Sequence, residues 1–317
     1  MLKVLNLLND GQFHSGESLG EALGISRAAV WKRIEQLEHD QGLKIDRIKG
    51  KGYRCLEKNF LLNQAEIEQA LDIPVLVYDE VDSTNAEVTR LLKTTLAPFL
   101  VLTEKQLAGK GRRGRTWVSP LAQNLYFSVA WPLQGNLSRL EGLSLVVGVA
   151  LLRALKKLQI EHVGLKWPND ILHNGAKLSG ILLELVGDPA DRCHVVIGIG
   201  VNVNMSTDKE HDISQEWTSL RNICGAAINR NELAIVLYRE LEDCLRTHAE
   251  QGFSAFKHEW EAAHVWQGKA GVISTVANQI EGTILGVDST GALRLLVDER
   301  EQCFSGGEVS LRLSDDS

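Results

Sequence analysis

Residues 109–115, GKGRRGR, place three glycines and four basic side chains in seven positions. No hydrophobic period runs through them, so they form neither a helix face nor a half-buried strand. The glycines allow sharp bends and close approach of backbone to a ligand. Lys110, Arg112, Arg113 and Arg115 supply donors that repel one another when no anion is present. Two readings follow: a solvated basic surface loop, or an anion-binding loop that becomes ordered when a phosphate or carboxylate arrives. Gly109, Gly111 and Gly114 also match G-x-G-x-x-G, but a dinucleotide turn needs a following helix and an acidic residue about 20 positions on. Val118-Ser119-Pro120 ends any helix, and no carboxylate lies near position 134.

Other polar groups occur at equally short spacing. KWPND brings the Lys166 cation, the Asn169 amide and the Asp170 carboxylate to a strand end stiffened by Pro168. Lys177 and Gly180 follow in GAKLSG, read as a hairpin turn into a strand over 181–185. Ser83-Thr84-Asn85 follows a β-prone run, and Gln106 lies just before the glycine–arginine loop. Ser83 or Thr84 is either a simple cap for a helix over 86–93 or, with Asn85, part of a set of donors and acceptors for a polar ligand head.

The whole chain limits what these groups can serve. Its 317 residues suffice for two or three domains. With 44% hydrophobic and 24% charged residues it reads as a soluble globular protein. The most apolar window, 143–155, is interrupted by Ser144, Gly148 and Arg153, and no secretory leader is legible, so a cytoplasmic protein without membrane contact is expected. Five cysteines without a C-x-x-C pair suggest neither zinc nor a disulfide framework. The net charge of -7 is uneven. Residues 26–54 hold eight basic and four acidic groups, +4, which leaves -11 for the rest. A basic module on an acidic body points to one part that meets nucleic acid.

That module is predicted as a winged helix-turn-helix domain over 1–57. An amphipathic first helix, a helix over 17–23 stopped by Gly24, and a helix over 27–39 capped by Ser26 give the helix–turn–helix order. KIDRIKGKGYR then reads as a two-stranded wing. The first turns of the second helix of such a unit face the major groove. The expected DNA-binding residues are therefore Ser26, Arg27, Ala28, Ala29, Lys32 and Arg33, with Lys49 and Lys51 on the wing. A purely protein-binding winged helix is the competing reading, and Trp31 reads as core or as surface.

A central domain over 58–266 is predicted from strands at 99–104, 124–131, 181–185 and 193–203 and helices at 143–158, 231–250 and 252–263. Asn202 and Asn204 would share a face of the strand over 193–203. From 267 to 317, β-prone runs at 271–276, 279–287, 293–297 and 309–313, separated by glycine turns, predict a small β-barrel that leans on the central domain.

Ser83-Thr84-Asn85, Gln106 with the 109–115 loop, KWPND and KLSG, in this order, closely resemble the biotin protein ligases. The domain order resembles their bifunctional form, which also represses the biotin operon. The resemblance covers essentially the whole chain, and the G-x-G-R-x-G-R loop with KWPND is highly specific as a pair. It implies an α+β fold: winged helix, mixed-sheet biotin/lipoate ligase-like catalytic domain and C-terminal SH3-like barrel. Lys110 departs from the family, which more often has Arg there; a backbone N–H contact would make the change minor.

The resemblance implies ATP, biotin and Mg, with biotinyl-5′-AMP formed first and biotin then passed to a lysine of the biotin carboxyl carrier protein. It implies catalytic roles for Lys177, Arg112 and Asp170, the last accepting a proton from that lysine. Biotin and biotinyl-AMP would meet Ser83, Thr84, Asn85, Gln106, Lys110, Gly111, Arg112, Lys177 and Gly180. Phosphate contacts fall to Gly109, Gly114, Arg115, Lys166 and Asn169, and Mg to Asn169 and Asp170. Trp117 reads as core or as an adenine wall. Operator DNA and a homodimer formed when biotinyl-AMP is bound complete the expected partners, with the strand over 193–201 as a possible dimer edge. The alternatives are a ligase with a vestigial winged helix, a regulator that only senses the adenylate, and a lipoate-type ligase, which would not be expected to carry this loop.

Overall fold

The computed structural model describes residues 1–39, 43–56, 61–133, 140–188, 193–206, 213–274, 278–306 and 309–314. The expected domain boundary at 57/58 and the end of the strand expected over 271–276 lie outside the described residues.

The N-terminal unit contains α1 (Leu2–Leu8), α2 (Gly16–Leu23), α3 (Arg27–His39), β1 (Ile45–Ile48) and β2 (Gly52–Cys55). Ser15 Oγ accepts from Ser18 N at 3.0 Å and caps α2, which Gly24 ends in the left-handed conformation (φ 64°). Ser26 Oγ accepts from Ala29 N at 3.2 Å at the start of α3. Val30, Ile34 and Leu37, at helical spacing, are the buried face of α3. β1 and β2 pair antiparallel from Ile45↔Cys55 to Ile48↔Gly52. Gly52 is required there, because its φ is +103° and a Cβ would stand 2.0 Å from His14 O.

The central unit follows as α4 (Gln64–Leu71), β3 (Val75–Tyr78), α5 (Thr84–Leu91), β4 (Phe99–Thr103), β5 (Leu125–Leu133), α6 (Leu143–Lys157), β6 (Val163–Lys166), β7 (Asp170–His173), β8 (Ala176–Gly187), β9 (Cys193–Val201), α7 (Leu220–Cys224), α8 (Arg230–Gln251) and α9 (Lys257–Ala263). Its seven strands form one sheet in the order β3-β4-β5-β9-β8-β7-β6, parallel only between β3 and β4. Ten of the 15 residues of α6 are buried, which makes it a core helix packed between the sheet and α8.

Three sequence expectations change here. The turn is at Asn174-Gly175, both with positive φ, so β8 begins at Ala176 and Lys177 lies within a strand. The register shifts between Ile171↔Ser179 and Leu172↔Lys177, a bulge that gives Lys177 its own pairing. β9 ends at Val201, so Asn202 and Asn204 lie beyond it in a loop. β9 is also no edge: β5 and β8 flank its whole length. Besides the terminal strands β3 and β6, β8 beyond Gly180 is open, since no strand among the described residues pairs there on the side away from β9.

The C-terminal strands are β10 (Ala270–Ser274), β11 (Gln279–Val287), β12 (Leu293–Val297), β13 (Arg300–Phe304) and β14 (Ser310–Leu313), an antiparallel sheet ordered β13-β12-β11-β10-β14. β13 had no sequence signal, because its residues REQCF are mostly polar and exposed. Ile273, Ile284, Leu293, Leu295 and Leu311 join the same apolar core as α6 and α8, so this sheet shares a core with the central unit. No helix among the described residues is long and apolar enough to cross a membrane.

Candidate functional site

An open cleft gathers residues from α5, β5, β8, β9 and the glycine–arginine loop, with Asn169 from just before β7. Ser83, Thr84, Asn85, Gln106, Lys110, Gly111, Arg112, Asn169, Lys177 and Gly180 all line it. Gly109, Gly114, Arg115, Lys166 and Asp170 are not among the lining residues.

The loop closes on itself as a small hairpin. Trp117 N donates to Gly109 O at 2.9 Å and Gly111 N to Arg115 O at 2.7 Å. Gly109 is buried, and a Cβ there would meet Trp117 O at 2.5 Å. Arg113 and Gly114 turn through the left-handed region at φ 58° and 71°. Arg113 and Arg115 are exposed to water, while the half-buried Arg112 finds acceptors. Its Nη1 donates to Asn169 Oδ1 at 3.0 Å, and its Nη2 donates to Gly306 O and, at 3.4 Å, to Val309 O, both outside the strands of the C-terminal sheet, after β13 and before β14. Burial pulls the Arg112 guanidinium below its ordinary value, and the Asp170 carboxylate opposes that shift.

Lys177 Nζ stands 2.9 Å from Asp170 Oδ1, with both side chains largely buried. The backbone of Lys177 is held from both sides, its N–H donating to Glu216 O and its carbonyl accepting from Thr218 N, each at 2.9 Å. Its ammonium also lies 5.6 Å from the centroid of the Trp117 ring. Lys166 turns away from the cleft and rests 4.4 Å over the Trp266 ring, where burial lowers its pKa and Asp170 opposes the shift. Trp167 is core: it is buried and donates from Nε1 to Gly291 O at 3.1 Å.

A second polar group organises the other lining residues. Thr84 N donates to Gln106 Oε1 at 2.9 Å, and Gln106 Nε2 donates to Ser119 Oγ at 3.1 Å. Ser83 is the N-cap residue of α5 but makes no side-chain cap bond, which leaves its hydroxyl for the cleft. Sequence reasoning named Gly180 and left Trp117 open between core and wall, but did not assign Gly198 and Gly200 to the cleft. Gly200 and Gly180 lie under Trp117, and a Cβ on Gly200 would stand 2.5 Å from the indole. Trp117 is therefore a wall of the cleft, half-buried, with its buried Nε1 lacking a protein partner. The signal was the GIG spacing in β9, where glycines on one face of a strand mark close approach.

Glu104, at the end of β4, was also missed. Its carboxylate accepts from Arg230 Nη2 at 2.5 Å and from Leu62 N at 2.6 Å. Arg230 is fully buried and also donates to Asn124 O at 3.0 Å. The chain entering the central unit is thus tied to the strand that delivers the loop. Leu121 and Ala122, just beyond the loop, belong to the apolar core of the N-terminal unit.

On that unit Ser26, Arg27, Ala28, Lys32, Lys49 and Lys51 are exposed, and Ala29 and Arg33 half-exposed. Trp31 is 47% exposed, so it is surface and not core. Among the described residues no group of three or more His, Cys, Asp or Glu could hold a metal ion.

Three family models match: an HTH domain over residues 1–54, the Biotin/lipoate A/B protein ligase family over 77–202, and the Biotin protein ligase C terminal domain over 272–312. The chain belongs to the biotin protein ligase family. Within it, the chain is 39% identical to the bifunctional ligase/repressor BirA of Escherichia coli, across 98% of this chain and 97% of that one. It is 32% identical to the biotin–[acetyl-CoA-carboxylase] ligase of Paracoccus denitrificans, across 72% of this chain and 96% of that one. The Aquifex aeolicus biotin protein ligase solved with biotin and ATP aligns at a TM-score of 0.67 and 30% identity, over 76% of this chain and 99% of that one. Winged-helix, ligase and C-terminal segments in this order place the chain with the bifunctional ligase/repressors.

Proposed function

We propose that the cleft joins biotin to ATP and then to protein. A biotin carboxylate oxygen attacks the α-phosphorus of ATP, and pyrophosphate leaves. The amine of one lysine of the biotin carboxyl carrier protein then attacks the acyl carbon, and AMP leaves. One observation carries this reading: a neutral donor–acceptor set (Ser83, Thr84, Asn85, Gln106) and a cationic set (Arg112, Lys177, with Lys110) line a single cleft. The first suits a cyclic urea and the second suits a carboxylate meeting a phosphate. Two anions must approach, so positioning and charge neutralisation supply most of the barrier lowering.

Lys177 is assigned to the meeting point of carboxylate and α-phosphate, and Arg112 to retention of the adenylate. Asp170, beside Lys177, is assigned the proton of the incoming amine. Arg115, Lys166, Gly109 and Gly114 support from outside the cleft lining. Asp170 is a single carboxylate, and Asn169 is engaged with Arg112 and, at 2.9 Å, with Ile181 O. This donor set fits magnesium that arrives on the triphosphate and meets one carboxylate, not a protein cage. When bound, the ion would screen the triphosphate charge.

The exposed basic face of α3 and the wing suit operator DNA. The proposed dimer pairs β8 with its symmetry mate along the open edge beyond Gly180, where Leu185 is 47% exposed. A dimer sets two α3 helices at spaced half-sites, so adenylate that favours the dimer favours DNA binding by linkage. Biotin-dependent pyrophosphate exchange tests the first step. Operator binding at fixed salt, with and without biotin plus ATP, tests the regulatory half. Equal affinity in both conditions, with adenylate bound, would leave a ligase with an independent or vestigial winged helix.

A further inference from the structure

The contacts behind Thr84 leave one arrangement of protons. Asn85 is 4% exposed, and one end of its amide lies 2.7 Å from the Glu184 carboxylate and 3.4 Å from Leu182 O. Carboxylate and carbonyl only accept, so that end is Nδ2. Oδ1 therefore faces Ser128 Oγ at 2.6 Å and takes the single Ser128 proton. Ser128, fully buried, also lies 2.7 Å from Thr84 Oγ1, and with its proton committed it can only accept there. Gln106 Oε1 competes for the Thr84 proton at 3.2 Å. Either acceptor uses that proton, so Thr84 Oγ1 is left with lone pairs and no donor. The sheet is built around this chain: a Cβ on Gly198 would fall 2.3 Å from Asn85 Oδ1.

We propose that Glu184, Asn85 and Ser128 form a proton-orienting chain that presents Thr84 Oγ1 to the cleft as an acceptor and so selects a ligand carrying an N–H at that point. The inference rests on the reading that the cleft takes the cyclic urea of biotin. Glu184 and Ser128 do not line the cleft. They are positioning residues that act through Asn85 and Thr84. A site built to pair a ligand N–H rejects the analogue that places an oxygen there, because two acceptors then face each other.

The test compares biotin with the two cyclic carbamates in which one or the other ring N–H is replaced by O. Equilibrium binding is measured by calorimetry for the wild-type chain, Ser128→Ala and Glu184→Gln, with ATP binding measured separately. For one of the two carbamates, the wild type should prefer biotin by about tenfold or more. In Ser128→Ala the Thr84 hydroxyl can turn to donate, and that ratio should fall by about threefold or more with ATP affinity unchanged. Glu184→Gln frees the Asn85 amide to flip and should move the ratio the same way, which serves if Ser128→Ala does not fold. A ratio that stays at the wild-type value in folded variants, even with weaker binding of all three ligands, overturns the chain. A wild-type protein that does not bind biotin overturns the biotin reading and this inference with it.

Discussion

The ammonium of Lys177 and the carboxylate of Asp170 form a 2.9 Å ion pair, made possible by the bulge between β7 and β8. The pair sets a cation at the cleft whose alternative partner is an incoming anion. Lys177→Ala should reduce adenylate formation by a factor of about 10² or more, the scale of losing one preorganised charge, while far-UV circular dichroism stays native. Biotin-dependent pyrophosphate exchange reads it, and exchange at the wild-type rate would remove Lys177 from its assigned place.

Arg112 bridges Asn169 to the carbonyls of Gly306 and Val309, so it is presented to the cleft from a fixed base. A charge-assisted clamp on a phosphate is worth about 1.5–3 kcal/mol. Arg112→Gly should therefore release adenylate roughly 10- to 100-fold faster while still making it. Free adenylate and acylation of stray lysines would both rise. Release at the wild-type rate contradicts the clamp.

Glu104 and Arg230 are a buried ion pair, 3% and 0% exposed in their side chains. Glu104→Gln leaves Arg230 a buried charge without its counter-ion, at a cost of about 3–5 kcal/mol. Replacing both, as Glu104→Leu with Arg230→Met, should recover much of that loss. Urea unfolding gives the numbers; a single substitution costing under about 1 kcal/mol would show that the pair is not a structural tie.

Burial pulls His264 down to about 4 from an ordinary 6.5, against the hydrogen bond to Gln267. The unfolded chain therefore binds a proton between pH 6.5 and pH 4 that the folded chain does not. His264 contributes no penalty at pH 7, and stability is lost as pH falls through that window, by about 3 kcal/mol in total. His264→Gln should flatten the fall in stability between pH 7 and pH 4, measured by urea unfolding at each pH. Unchanged pH dependence would mean the ring is more solvated than its packing against Trp260 implies.

Local chemistry made much of this legible in the sequence. Gly24 and Ser26 mark the helix–turn–helix because caps act within a turn of their own backbone. The loop and KWPND stood out because dense like charge and glycine have few structural uses. What depended on distant partners did not show. Nothing in the sequence couples Arg230 to Glu104, which lies 126 positions away. The β9 edge was misjudged because apolar strands look alike until their neighbours are known, and β8 turned out to be longer than its hydrophobic run. The type of Trp31 left core and surface open, and only its place off the buried Val30–Ile34–Leu37 stripe decides for surface. Leu121 and Ala122 gave no sign of packing into another unit's core.

The most direct test mixes the purified chain with ATP, labelled biotin and a biotin carboxyl carrier domain. The account expects one label per carrier, on a single lysine, with one AMP and one pyrophosphate formed for each transfer. Adenylate that forms and stays bound while no carrier lysine becomes labelled would contradict it, and would make the chain a sensor of biotinyl-adenylate instead of a ligase.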